Sequence, residues 1–253
     1  MRDSKQIVRF ISTHPDDDHI RGIEYLGNKM ELPNFYCVEN KAVKEKNTES
    51  FSYYCSLRDG SSHYYVYKGC KRKWLNQADA NDGIGASGIE FLWPIIDDLD
   101  YKNAIKEANS GISFNNISPI FTYSVNKSGT FIWLGDIEHD FLELIEDKIT
   151  WPTVSVLFAP HHGRQSGKIP AYALEKLSPQ VIIIGEAPSE NLDYYSGFNT
   201  ITQNSAGDIV FVCEDSFVHI YLGNANYPYD ISFLVNRNKP NSSLGCYIGS
   251  LEV

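Results

Sequence analysis

"ISTHPDDDHIRGIEYLG" runs from Ile11 to Gly27 and gathers two histidines and three aspartates into the six positions His14 to His19. The β-branched and aromatic run that leads into it, "QIVRFIST", reads as a buried strand. Beyond it Ile20, Ile23 and Leu26 recur at near-helical spacing, with Gly27 as the expected C-terminal stop. Two readings of this strand-to-helix handover stand side by side. Asp18 occupies an N-cap position, so the cluster reads as a charged turn. It also reads as one wall of a metal site. A strand end can aim several side chains at one point, and neutral imidazole and carboxylate suit zinc, manganese or iron.

Two later stretches repeat the pattern of an apolar strand ending in polar chemistry. In "FIWLGDIEHD" the strand ends at Gly135 and Asp136. Glycine allows close approach of backbone and ligand, and a carboxylate there can bridge two cations; an ordinary strand-to-helix turn is the plainer reading. In "VLFAPHHGRQSG" the strand ends at His161, His162 and Gly163. Adjacent histidines point in different directions, so one can ligate while the other contacts substrate; a polar loop with a capping His is the alternative. His139 reads as a helix-start surface residue, and His63 and His219 as structural residues within aromatic strands.

Composition narrows the class. The chain has 253 residues, enough for one large domain, with 42% hydrophobic and 21% charged residues. Lys plus Arg number 22 against 32 Asp plus Glu, a formal charge of −10, which weighs against non-specific nucleic-acid binding through phosphates. It weighs little against an enzyme acting on phosphates, where bound cations reverse the local sign. Five scattered cysteines without a C-x-x-C pair point to a reduced, cytoplasmic protein. No secretory leader is expected, and no apolar run nears the roughly 20 residues of a membrane helix.

The rest of the chain reads as strands interrupted by helices. From Phe35 to Lys73 the pattern is aromatic and strand-like, in "FYCV", "SFSYYCSL" and "SHYYVYKG". "QADANDGIGASG" reads as a loop, "IEFLWPI" as a strand and "YKNAIKEAN" as a short helix. "SPIFTYSV" and "TFIWLGD" flank the hairpin-like turn "NKSG". "HDFLELIEDKI" and "PAYALEKL" read as helices, and "VSVLFAP", "QVIIIGEA", "DIVFVCED" and "SFVHIYLG" as strands. A polar tail after Gly223 ends in the weak strand "LGCYIGSLEV". This argues for α/β (or α+β) layering in a single domain over 1–253.

The order H-x-[HD]-x-D-H, then Gly-Asp after an apolar strand, then His-His-Gly, resembles the metallo-β-lactamase superfamily. The subgroup closest in appearance is the hydrolase domain of the competence protein ComEC, on "THPDDDHI", "NNIS" (Asn115–Ser118), "WLGDI" and "APHHGRQSG". The resemblance covers about Gln6 to Asp215, with gaps. It implies an αββα sandwich and two divalent metal ions, Zn²⁺ or Mn²⁺. It implies His14 and Asp16 on the first metal, with Asp16 where many relatives have histidine. Asp18 and His19 would hold the second metal, Asp136 would bridge, and His161 would complete the second site. Asn116 stands where many relatives have a further histidine and is assigned to substrate binding. Oxygen ligands in place of imidazole harden the site, which brings Mn²⁺ in beside Zn²⁺. Relatives usually carry several strands before the first motif, where only thirteen residues precede His14. Either the start is trimmed, or part of the N-terminal sheet is lost, or another segment or chain fills its place; an unpaired sheet edge would then seek a homo-oligomer or a partner subunit.

The expected activity is that of a metallo-hydrolase, foremost a phosphodiesterase or nuclease on nucleic acid or a nucleotide. Asp18 would orient the activated water, and His162, Arg164 and Ser166 would grip a phosphate, with Lys168 as a further candidate. Tyr194 and Tyr195 read either as base-stacking residues or as core tyrosines. Hydrolysis of small esters, lactones or lactams on the same site is the second expectation. A metal-poor binding or scaffolding subunit is the third.

Overall fold

The computed structural model describes residues 8–73, 75–81, 83, 85–185 and 193–253. It is a mixed α/β structure with helices and several sheets. The chain forms two compact units, Met1–Phe121 with Gly135–Ile137, and Thr122–Leu134 with Glu138–Val253. Each has its own apolar core. Gln6 and Ile7, Asp82 and Ile84, and Glu186 and Ala187, each part of an element or loop expected from the sequence, lie outside the described residues.

The first unit is built on a parallel sheet in the order β1 (Arg9–Ile11), β2 (Asn34–Cys37), β3 (His63–Tyr65). Parallel neighbours need crossover connections, and helices supply them. Helices α1 (Asp17–Ile20) and α2 (Ile23–Lys29) join β1 to β2, and α3 (Glu49–Asp59) joins β2 to β3. All four residues of β2 are buried, as suits a central parallel strand. Ile20 and Ile23 pack with Leu32, Phe35, Phe51 and Tyr54 to make the core. Fully burying one such side chain contributes about 1.5–3 kcal/mol. Strand β4 (Ile89–Trp93) and helix α4 (Leu99–Asn109) follow, with Asp98 capping α4 by accepting from the amides of Asp100 and Tyr101.

Three details of the first unit depart from the sequence reading. The helix expected after His19 is broken at Gly22, which adopts φ 83°, a conformation open to glycine, so α1 and α2 are separate. Gly27 is not a stop but lies inside α2, where a Cβ would come 2.0 Å from the Tyr53 hydroxyl oxygen. Asp16, with extended backbone, takes the N-cap position expected of Asp18, and Asp18 lies within α1. A fourth departure is larger: the aromatic run "SFSYYCSL" is the helix α3, not a strand. Thr48 caps it by accepting from the Phe51 amide at 3.2 Å, and Ser50, Phe51, Tyr54 and Arg58 are buried at helical spacing. Aromatic β-propensity is a weak preference that this packing overrides.

Strand β5 (Ile120–Ser124) carries the chain into the second unit. There β6 (Thr130–Trp133), β7 (Val156–Phe158), β8 (Val181–Ile184) and β9 (Thr200–Thr202) pair in parallel in that order. Helices α5 (His139–Ile145) and α6 (Ala171–Leu177) lie on the β6–β7 and β7–β8 connections, and the short α7 (Gln203–Ala206) follows β9. An antiparallel sheet of β10 (Ile209–Glu214), β11 (Phe217–Leu222) and β12 (Cys246–Glu252) completes the unit. Phe131, Val156, Val181, Ile201, Val218 and Ile220 anchor its core. The tail strand that reads weakly from the sequence is thus a full sheet member, whereas β9 is a strand that the sequence reading does not include. Among the described residues, no helix is long and apolar enough to cross a membrane.

Candidate metal centre

The carboxyl end of β1 delivers the first cluster. The chain leaves the strand at Ile11, turns through His14–Pro15, and enters α1 at Asp17. This short stretch of chain brings His14 and His19 together, with ring centroids 4.1 Å apart. His14 is 1% exposed and Asp136 4%. Asp136 belongs to the segment Gly135–Ile137 of the first unit, although 117 positions separate it from His19 (136 − 19 = 117).

The two rings are tilted by 48°, yet both turn Nε2 toward carboxylates. His19 Nε2 is 3.1 Å from Asp136 Oδ2, and His14 Nε2 is 3.6 Å from Asp16 Oδ2 and 3.9 Å from Asp136 Oδ2. Nδ1 of each ring faces hydroxyls instead. His14 Nδ1 lies 3.2 Å from both Thr13 Oγ1 and Ser118 Oγ, and His19 Nδ1 lies 3.5 Å from Thr13 Oγ1. A hydroxyl on one ring nitrogen fixes the ring while the other nitrogen faces the site. One ligand atom each from Asp18, His19 and Asp136 lies within 4.8 Å of the other two.

The loop carrying Asp136 is shaped for close approach. Gly135 has φ 59°, and a Cβ there would stand 2.5 Å from Ser118 Cβ and 3.1 Å from Thr13 Cβ. Ser118 in turn accepts from the Asp136 amide at 3.3 Å. One hydroxyl thus touches both His14 and the backbone of Asp136.

The cluster is rich in negative charge. Burial foremost holds the Asp16 carboxyl above its ordinary pKa; Lys44 opposes this, Asp18 adds to it, His19 opposes it and Asp136 adds to it. Lys44 stands against the loop, with Nζ 2.8 Å from Asp17 Oδ1 and 3.7 Å from Asp16 Oδ1. Its ammonium also lies over the rings of Phe51 and Phe114, at 5.3 and 5.4 Å. The donor set, two imidazoles and three carboxylates, fits a divalent cation of the zinc or manganese type.

Asn116 lies on the 3₁₀ turn Asn115–Ile117, just before Ser118. The remaining expected residues belong to the second unit. His161 and His162 form the turn after β7, with φ of 48° and 59°, left-handed values uncommon for residues other than glycine. His161 Nδ1 lies 3.0 Å from Ser166 Oγ, so Ser166 orients a histidine. Gly167 permits the turn, since a Cβ there would meet His161 Cβ and the Pro160 carbonyl at 2.5 Å. Arg164 is exposed, and Lys168 lies over the Tyr194 ring at 5.8 Å. Tyr195 is 1% exposed, a core tyrosine rather than a stacking surface. His139 begins α5 with Nδ1 2.7 Å from the Lys168 carbonyl, and His219 is buried beside Ser250.

The sequence reading does not include Thr13, Lys44 or Ser118 in the site. Ser118 is within its reach, because it ends the "NNIS" segment. Lys44 is not: nothing local marks a loop lysine as the neighbour of aspartates 27 and 28 positions away (44 − 17 = 27, 44 − 16 = 28). Neither a comparison with protein-family models nor a search of curated proteins finds a match for this chain.

Proposed function

We propose that this chain is a metal-dependent hydrolase, foremost a phosphodiesterase or nuclease, with a metallo-β-lactamase-like αββα architecture. The observation that carries the reading is the convergence of Asp18, His19 and Asp136 around one point, beside a buried His14 whose Nε2 faces carboxylates. A charged turn alone requires neither a buried imidazole nor a carboxylate drawn from a distant glycine-aspartate loop.

His14, Asp16, Asp18, His19 and Asp136 are the proposed metal ligands in the first unit. The resemblance adds His161 as a further ligand and two ions in all, Zn²⁺ or Mn²⁺. A bound divalent cation supplies a water nucleophile near neutral pH and stabilises negative charge as it develops. The protein groups do the positioning. Thr13 and Ser118 hold the His14 ring through Nδ1, leaving Nε2 for the metal. Asp18, on the exposed side of α1, orients the water. His162 and Arg164 are proposed to hold the phosphate of a nucleic acid or nucleotide, with Asn116 as a further substrate contact. Ser166 acts through His161.

The test is hydrolysis of bis-(p-nitrophenyl) phosphate with added Mn²⁺ or Zn²⁺, run beside ester and lactam substrates. Phosphodiester turnover that chelation abolishes is expected. Turnover of the carbonyl substrates alone would replace the first reading with an esterase or lactonase. Absence of tightly held metal and of all turnover after loading would favour a binding subunit.

A further inference from the structure

Away from the metal cluster, the first unit holds a cavity of about 310 Å³, at the lower end of the range for small-ligand pockets. Its chemistry is specific. Tyr65 and Tyr67 give half-buried aromatic surface, Tyr101 closes the wall from the core, Arg72 and Lys102 are cationic, and Glu39 is acidic. The remaining wall is aliphatic, from residues such as Ile105.

Topology explains why these groups meet. In the parallel sheet Ile11, Tyr36 and Tyr64 lie in register. His14, Glu39 and Tyr67 each follow their register residue by three positions, so all three leave the same, carboxyl edge of the sheet. Ligands of open parallel sheets bind at that edge. Two strand spacings separate the β1 and β3 ends, about 10 Å. The cavity is therefore lined from the same sheet edge that carries His14.

Arg72 is preorganised. Its Nε donates to the Tyr65 carbonyl at 3.0 Å and its Nη2 donates to the same oxygen. The guanidinium lies 5.3 Å over the Tyr67 ring. That arrangement fixes a planar cation against an aromatic face, which suits recognition of a phosphate beside a stacked ring. Lys102 stands on the exposed side, 3.2 Å from Asp97. With Asp97 beside Lys102, cations and carboxylates balance around the cavity, and the stacked guanidinium of Arg72 is the group that suits an anionic ligand over an amine.

We propose that this cavity binds one nucleotide, its base against Tyr65 and Tyr67 and its phosphate on Arg72 and Lys102. Glu39 accepts a hydrogen bond from an exocyclic amine or a ribose hydroxyl. The catalytic meaning rests on the hydrolase reading: the cavity holds the nucleotide neighbouring the scissile phosphate and makes nucleotides, rather than small esters, the substrate class. The binding itself does not rest on that reading.

Calorimetric titration with adenosine 5′-monophosphate, in the presence of a chelator, tests the binding apart from catalysis. Adenosine and inorganic phosphate serve as separate probes. The monophosphate should bind at least about tenfold more tightly than either. Lys102→Gln, on the exposed side, and Ile105→Trp, which fills the cavity, should each weaken it by about tenfold or more. Lys102→Gln should leave the circular dichroism spectrum unchanged, so the test survives if Ile105→Trp fails to fold. No binding of the monophosphate, or equal affinity in wild type and Lys102→Gln, overturns the inference. Turnover of bis-(p-nitrophenyl) phosphate is measured in parallel. Turnover without monophosphate binding removes the nucleotide site and leaves the hydrolase, whereas binding without turnover does the reverse.

Discussion

Asp136 is the residue on which the candidate centre turns. It is 4% exposed, and its Oδ2 lies 3.1 Å from His19 Nε2 and 3.9 Å from His14 Nε2. Asp136→Asn keeps the shape and removes the charge, so it should abolish turnover and lower metal affinity while the far-ultraviolet dichroism stays that of wild type. Metal-binding isotherms of the two proteins check this; equal affinity would remove Asp136 from the ligand set. Ser118 has a different part. It is fully buried and touches both His14 Nδ1 and the Asp136 amide. Ser118→Ala should cost about 1–3 kcal/mol of stability through groups left unsatisfied, and metal affinity should fall by about 10–100-fold. Denaturant titration and the same isotherms read the two effects separately.

The elements that carry these residues are readable in the sequence to different degrees. β2, β4, β6, β7 and β8 are short runs of β-branched and aromatic residues, and their composition announces them; β1 is a strand as its composition suggests, but with Arg9 exposed and Phe10 and Ile11 half-buried it is not the buried strand expected. The strand-end position of His14 and Asp136 follows directly. The helix α3 reads as a strand because "SFSYYCSL" is rich in residues that favour strands; the helical cue is the Thr48 cap and the spacing of Phe51, Tyr54 and Arg58. Thr48→Ala should therefore destabilise the first unit by about 1 kcal/mol, measured by denaturant titration, as the loss of an N-cap hydrogen bond does. The break between α1 and α2 is hidden because Gly22 reads equally as a tolerated helix residue. The approach of Ser118 and Thr13 to the Asp136 loop is hidden too, since no local pattern encodes it. Gly135→Ala tests that approach. It meets both a left-handed backbone and a Cβ contact of 2.5 Å, so a loss of roughly 2–4 kcal/mol is expected from the two effects together. A midpoint unchanged from wild type would contradict the packing described for this loop.

Charge acts across the chain as a balance between a net of −10 and the cations that offset it locally. In the first unit the clearest case is Asp59, which receives hydrogen bonds from Arg58 at 2.7 and 3.0 Å and from Lys41 at 2.8 Å. Arg58 foremost holds its carboxyl well below the usual range, with Lys41 adding to the effect. A depressed folded pKa contributes stability that is complete above the unfolded value of about 3.9 and is lost as pH falls through the folded value. Wild type should therefore lose its stability advantage over Asp59→Asn below about pH 4, in urea titrations run across pH. The carboxylates around His14 pose the opposite problem: burial works against the charge of Asp16, and a bound divalent cation would relieve it. Anomalous scattering from crystals soaked in Zn²⁺ or Mn²⁺, recorded on both sides of each absorption edge, tests that directly. Peaks are expected beside His14 and Asp16 and beside Asp18 and His19, with Asp136 near both; crystals saturated with either metal that give no peak at these residues would contradict the two-metal reading.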